Sequence, residues 1–365
     1  AGNVKEWCWN EGSPGARLIL GGGFGEAEYI FPNGDEASPW ERRPNFGFRC
    51  SKVTGVVPPE AMAHVVRTTR DYGREKPVSD EVFAAFRGLY AYDERPLDPR
   101  VEETETGEDW KREKVSFRAA YGDERVPVHL FLPRNASPPY QVVVFFPGGF
   151  AYFSKKFEPS KIREGFGYDF SFLTRTGRAL VVPIYRGQWE RTDGIGVGGK
   201  PVGLWRDRVV AQAKDLGRTL DYLATRKDLD ASRAAYFGHS AGGAMAPILL
   251  GIEHRFKAAV LLAGGFWFRH PLPEVEALNF APRVTTPVLM LNGRWDAAFP
   301  LESAQRPLFA RLGTPEPDKK HLVFDQGHFP PEKDVIRESL AWLDKYLGPV
   351  TPGAGRAGGR AGNAP

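Results

Sequence analysis

Cysteine is scarce: Cys8 and Cys50 are the only two in a chain of 365 residues. A chain of this length with one possible pair has no disulfide scaffold, and both thiols are read as unpaired. Histidine is also scarce, seven in all. That leaves few ligands for a transition-metal site, and no metal and no cofactor is expected. Charge of one sign is not in excess, with 49 Lys and Arg against 45 Asp and Glu, so no basic field draws nucleic acid. No apolar run approaches the roughly 18 residues that a membrane span needs. The opening stretch Ala1–Trp7 has neither an initiator methionine nor the apolar core of a signal peptide, and it reads as the interior of a longer protein. Neither a membrane nor nucleic acid is expected as a partner, and the oligomeric state is left open.

What is present separates into regions by composition. Residues 1–50 are rich in Gly, Trp and Phe, with turn residues throughout and no helical period, and read as an irregular segment. Residues 51–110 read as a connector with short helices over 58–68 and 80–89. Its acidic run Glu102–Asp109 reads as a solvated link. Strand and helix patterns alternate from Lys111. Val115–Ala119 and Val126–Leu132 flank the turn residues 121–124 as a hairpin. Apolar strand runs follow at 141–146, 179–185, 234–237, 258–262, 288–291 and 321–324. Helical spacing covers 205–225 and 332–346. Continuous apolar runs separated by helices predict an α/β fold, a mostly parallel sheet with helices on both faces, over residues 111–348. The last residues, 349–365, are Gly, Ala, Arg and Pro and cannot bury enough surface to offset ordering entropy, so a disordered tail is expected.

One pentapeptide carries chemistry. Gly238-His239-Ser240-Ala241-Gly242 follows the apolar run Ala234–Phe237 and precedes a small-residue run. A strand, a tight turn and a helix in that order form a nucleophile elbow, in which glycines permit close backbone approach around a strained serine. A serine hydroxyl needs a base in reach and the base needs an orienting acid. With the partners in the order Ser, Asp, His, only His321 and His328 remain as bases. His321 lies inside a strand pattern. His328 lies in the loop beyond that strand, where functional residues collect in open α/β sheets, and is preferred. Asp296, in the turn after the strand 288–291, is the expected acid, with Asp325 and Glu302 as alternatives. An oxyanion needs backbone donors. Ala241 N–H is one, and the Pro147-Gly148-Gly149-Phe150 loop supplies the other through Gly149 or Phe150. Gly148, Tyr152, His239, Trp189, Trp267 and Trp295 are candidate substrate contacts, since aromatic loops fall near the serine. The run Gly194–Lys200 imitates a nucleotide loop, but Pro201 stands where a hydroxyl is required, so it reads as a loop near the pocket.

These motifs, over roughly Lys111 to Leu347, resemble the α/β-hydrolase superfamily. The resemblance implies hydrolysis of esters, thioesters, amides or lactones. The Pro-Gly-Gly loop and the short excursion after Ala263 resemble the esterase and dienelactone-hydrolase-like branches, and Pro147 departs from the His-Gly-Gly-Gly form of hormone-sensitive-lipase relatives. Gly2–Trp7, Leu20–Phe24, Arg43-Pro44 and Gly47–Cys50 resemble the C-terminal end of formylglycine-generating-enzyme-like domains. The copper-binding cysteine pair of that family has no counterpart in Glu26–Phe31, so a non-catalytic segment is expected. That resemblance implies a bacterial multidomain protein and, with it, a cytoplasmic location. The expected activity is serine hydrolysis of a carboxylic ester, small or polymeric, through an acyl-enzyme, with bulky or aromatic esters and polyesters in its range. A peptidase or amidase using the same groups, and a non-catalytic binding module, are the alternatives.

Overall fold

In the computed structural model, which describes residues 3–24, 26, 34–65, 69–160, 162, 167–196 and 201–350, the chain forms two sheets. The smaller lies at the N-terminus: β1 (Lys5–Glu11), β2 (Arg17–Leu20), β3 (Asp35–Ala37) and β4 (Phe46–Gly47), in the order β3-β2-β1-β4. The expectation for residues 1–50 was an irregular segment. Strands of two to seven residues with half-exposed faces carry too little alternation to register as strands.

The larger sheet contains β5 (Arg100–Thr106), β6 (Trp110–Arg118), β7 (Arg125–Pro133), β8 (Tyr140–Phe146), β9 (Ala179–Pro183), β10 (Leu229–His239), β11 (Ala258–Leu262), β12 (Val288–Gly293) and β13 (Lys319–Phe324). Its order is β13-β12-β11-β10-β8-β9-β7-β6-β5. The strands from β8 to β13 run parallel, and β5 to β7 join antiparallel at one edge. Side-chain alternation explains why both faces are covered. Along β8, Val142, Val144 and Phe146 enter one core, and Val143 and Phe145 enter the other. Along β10, Tyr236 and Phe237 divide in the same way. The helix Val202–Thr225 packs Val209, Leu216 and Leu220 on the first face. The helix Glu332–Leu347 packs Val335, Trp342 and Leu343 on the second. Among the described residues no helix is long and apolar enough to cross a membrane.

The sheet begins earlier than the sequence suggested. The acidic run expected to be a solvated link is largely β5, exposed along its whole length. Its Glu103 and Glu105 both accept from the buried Arg112 guanidinium, at 3.0 Å each. A charged edge strand protects the sheet from pairing with other chains but offers no apolar pattern to read. The connector helices span Pro59–Met62 and Asp80–Gly88. Ser79 caps the second by accepting from Val82 N–H. Residues 1–2, 27–31, 66–68, 197–200 and the tail from 351 onward, all invoked in the sequence analysis, lie outside the described residues.

Candidate active site

The chain passes from β8 to β9 on one side of β8 and later returns to β10 on the other. Such a switch point opens a crevice at the carboxyl ends of the strands. The loop after β8 and the turn after β10 both end there.

The turn after β10 is tight. Ser240 has φ 52° and ψ −106°, a conformation costly for a residue with a side chain. Its N–H donates to Leu262 C=O at 2.7 Å, and the helix Ala241–Ile252 starts directly after it. Two glycines make this possible. A Cβ on Gly238 would lie 2.6 Å from the Gly242 carbonyl carbon, and one on Gly242 would lie 2.2 Å from the Phe146 carbonyl oxygen. Backbone meets backbone on both sides, so no side chain fits.

His328 Nε2 is 2.9 Å from Ser240 Oγ, and His328 Nδ1 is 2.8 Å from Asp296 Oδ2. With Nδ1–H donating to the carboxylate, Nε2 is left to accept from the serine hydroxyl. Asp296 is buried, and its other oxygen accepts from Ala298 N–H at 2.9 Å and Phe299 N–H at 3.1 Å. Gln305 ties down the same loop, donating to Gly293 C=O at 2.8 Å and Phe299 C=O at 2.7 Å. Trp295 N–H donates to Gln326 C=O at 3.0 Å, linking the loop of Asp296 to that of His328. The imidazole packs between the rings of Phe299 and Phe329. Burial pulls its pKa down, but the Asp296 charge and hydrogen bond more than offset this, and the net shift is upward.

The alternatives considered for these positions lie elsewhere. His321 is on β13 against the Phe309 ring, and burial pushes its pKa down to about 4. Asp325 pairs with Arg294 at 2.7 Å, and Glu302 pairs with Arg306 at 2.6 Å.

Ala241 is the first residue of its helix, and Gly149 and Phe150 open the short turn Phe150–Phe153. Next along that turn, Ala151 N–H donates to Gly148 C=O and Tyr152 N–H to Gly149 C=O. Gly148 lies beside His239: a Cβ there would be 3.3 Å from the Nδ1 of that ring. His239 is buried among Phe150, Tyr168, Phe170 and Phe329, and neither ring nitrogen has a hydrogen-bond partner among the described residues. Burial, reinforced by nearby His328, pushes its pKa down to about 3.

The other expected contacts divide. Tyr152 is buried, with its hydroxyl on Gln212 and its ring against Trp205. Trp189 is buried against Phe157 and Phe150. Both pack behind the loop after β8. Trp295 is half-buried on the turn leading to Asp296. Trp267 lines a cavity of about 460 Å³ together with Trp205, Val202, Ala244, Ile248 and Val275. Ala244 is one helical turn beyond Ser240, its N–H donating to Ser240 C=O at 3.0 Å. Trp205 falls in the helix expected over 205–225, and nothing in its spacing marks a cavity. Gln305 was likewise missed, because a glutamine in a short helical turn carries no signal of its buried contacts. The glycine-rich loop is held at its start by Asp193, paired with Arg208.

Comparison with known proteins agrees with this architecture. The model of the prolyl oligopeptidase family matches residues 166–270, a segment that includes Ser240. Cutinase est2 from Thermobifida alba is 30% identical over 151 residues, 39% of this chain and 47% of that protein. The chain thus spans about half the length of the curated relatives it matches. Two solved structures superpose over most of their own length. Acetyl xylan esterase from Paenibacillus sp. R4 gives a TM-score of 0.56 at 18% identity, covering 74% of this chain and 97% of that one. Acetyl xylan esterase 1 from Thermoanaerobacterium sp. JW/SL YS485 gives 0.57 at 15% identity, covering 74% and 96%. At such identities the likeness is one of architecture: the chain has the α/β-hydrolase fold.

Proposed function

We propose that the protein is a serine hydrolase of carboxylic esters, with Ser240 as nucleophile, His328 as base and Asp296 as the group that orients it. The observation that carries this reading is the unbroken chain of contacts, 2.9 Å from serine to imidazole and 2.8 Å from imidazole to carboxylate, on a strained turn at the switch point. In the reaction Ser240 Oγ attacks the ester carbonyl while His328 Nε2 takes the hydroxyl proton. The negative charge on the carbonyl oxygen is met by Ala241 N–H and by an N–H of Gly149 or Phe150. His328 then returns the proton to the departing alkoxide, leaving an acyl-enzyme that water cleaves by the same steps in reverse order. The names of the relatives, a cutinase and acetyl xylan esterases, support ester over other acyl substrates.

The cavity of about 460 Å³ one turn along the helix from Ser240, walled by Trp205 and Trp267, supports a bulky or aromatic group on the ester. Residues 1–50 are read as the closing part of a formylglycine-generating-enzyme-like unit without its copper cysteines, on the motifs quoted above.

The test is hydrolysis of p-nitrophenyl acetate, butyrate and benzoate by the parent and by Ser240→Ala. The variant should lose turnover by a factor on the order of 10³–10⁶, and an undiminished rate would refute the assignment. Amide or peptide cleavage is a second reading, favoured by the prolyl oligopeptidase match across residues 166–270. Rates on an ester and an anilide sharing one acyl group separate the two.

A further inference from the structure

The N-terminal sheet lies against the loop that carries His328. The Glu36 carbonyl oxygen of β3 is 3.4 Å from the position a Cβ on Gly327 would take. Arg43 Nη2 donates to Gln326 Oε1 at 3.4 Å. Next to Glu36, Asp35 Oδ2 accepts from Lys5 Nζ at 2.8 Å, and Glu26 Oε1 lies 3.2 Å from the same nitrogen. Lys5 is only 1% exposed. Burying an ammonium between carboxylates costs desolvation that the pairing barely repays, so the pair is a poor device for stabilising so small a sheet. Its position suggests another use.

We propose that the N-terminal sheet is a working part of the Ser240 site: it clamps the loop 325–329, and its Lys5–Asp35 pair adjusts the charge felt by the His328 imidazole. The proposal rests on the reading of His328 as the base. Asp35 and Lys5 are positioning residues that never touch substrate. Asp35 favours the imidazolium and Lys5 disfavours it. Among the described residues, other groups also lie near the ring. Asp296 is the dominant partner, and His239 is neutral down to about pH 3. Asp325 on the same loop is paired with Arg294. Tyr168, held to Pro330 C=O at 3.0 Å, is kept protonated by burial, with Asp296 and Glu332 adding to that effect and Arg43 opposing it. Two opposite charges from the small sheet thus act on a base carried by the large one. Movement of the N-terminal unit away from the loop would change the pH at which that base is available.

The experiment reads the imidazole itself, so it needs no substrate and stands apart from the question of activity. The histidine-labelled 365-residue chain is titrated by NMR, with the His328 signal assigned by its loss in His328→Gln. Asp35→Asn should move the midpoint down and Lys5→Gln should move it up, while Asp35→Glu should restore the parental value. General loosening would move both charge variants the same way. Shifts in the same direction, or none, in variants that keep the parental circular dichroism overturn the proposal. Arg43→Ala gives a second arm if the buried variants do not fold. It should speed amide exchange at Gln326–Phe329, and unchanged exchange there overturns the clamp.

Discussion

His129 offers a prediction that can be worked through in numbers. It lies on β7, 3% exposed, and its Nδ1 accepts from Arg112 Nη1 at 3.0 Å. Burial first, then the Arg112 and Lys114 charges, push its pKa from 6.5 down to about 3. In the unfolded chain the imidazole binds a proton near pH 6.5, and in the folded chain it does not. The stability linked to it is therefore intact above pH 6.5 and is lost progressively as the pH falls toward 3. At pH 5 the unfolded state gains RT ln(1 + 10^1.5) from this one group, about 2 kcal/mol. Replacing His129 by Gln removes the titration and keeps an oxygen for Arg112 to donate to. Urea unfolding of parent and variant at pH 7 and pH 5 gives four free energies. The parent should lose about 2 kcal/mol more than the variant between the two pH values. Equal losses would show that His129 titrates alike in both states and would refute the reasoning.

Other outcomes follow from the site. Because the His328 pKa is raised and the base must be neutral, kcat/KM should fall on the acid side with a midpoint above 6.5, and a midpoint below that value would contradict the Asp296 pairing. Asp296→Asn keeps an oxygen for Ala298 and Phe299 N–H but loses the charge behind the imidazole, so kcat on an ester should drop by about 10⁴ with little change in thermal unfolding. Gly242→Ala forces a Cβ within 2.2 Å of Phe146 C=O. It should destabilise the protein by about 3 kcal/mol in chemical denaturation, and a loss under about 1 kcal/mol would mean the turn relaxes freely.

Much of the fold was legible because β8 to β12 are apolar on both faces, and such runs stand out without any alignment. The convergence of Ser240, Asp296 and His328 was legible for a related reason. Each closes or follows a strand, and the order of the strands restricts which histidine can meet which acid. What escaped depended on pairings that only the folded chain creates. β5 presents a row of glutamates to solvent, and its role becomes visible only with Arg112 beneath it. Three of the four strands of the N-terminal sheet have four residues or fewer, too short to alternate. The Lys5–Asp35 pair joins residues that nothing in their spacing connects. Tyr152 and Trp189 were expected near substrate because they follow strand ends, but their rings turn into the packing behind the loop, where Gln212 and Phe157 receive them. Trp205 reached the cavity wall from a helix whose period announced only a core face.

The central claim is that Ser240 is a nucleophile activated by His328. A fluorophosphonate ester reports it directly, since it forms a stable adduct with an activated serine. Intact-mass measurement followed by peptide mapping should find one phosphonyl group per chain, on Ser240, forming far more slowly when His328 is replaced by Gln. Folded protein that stays unlabelled, or that carries the adduct elsewhere, would contradict the account.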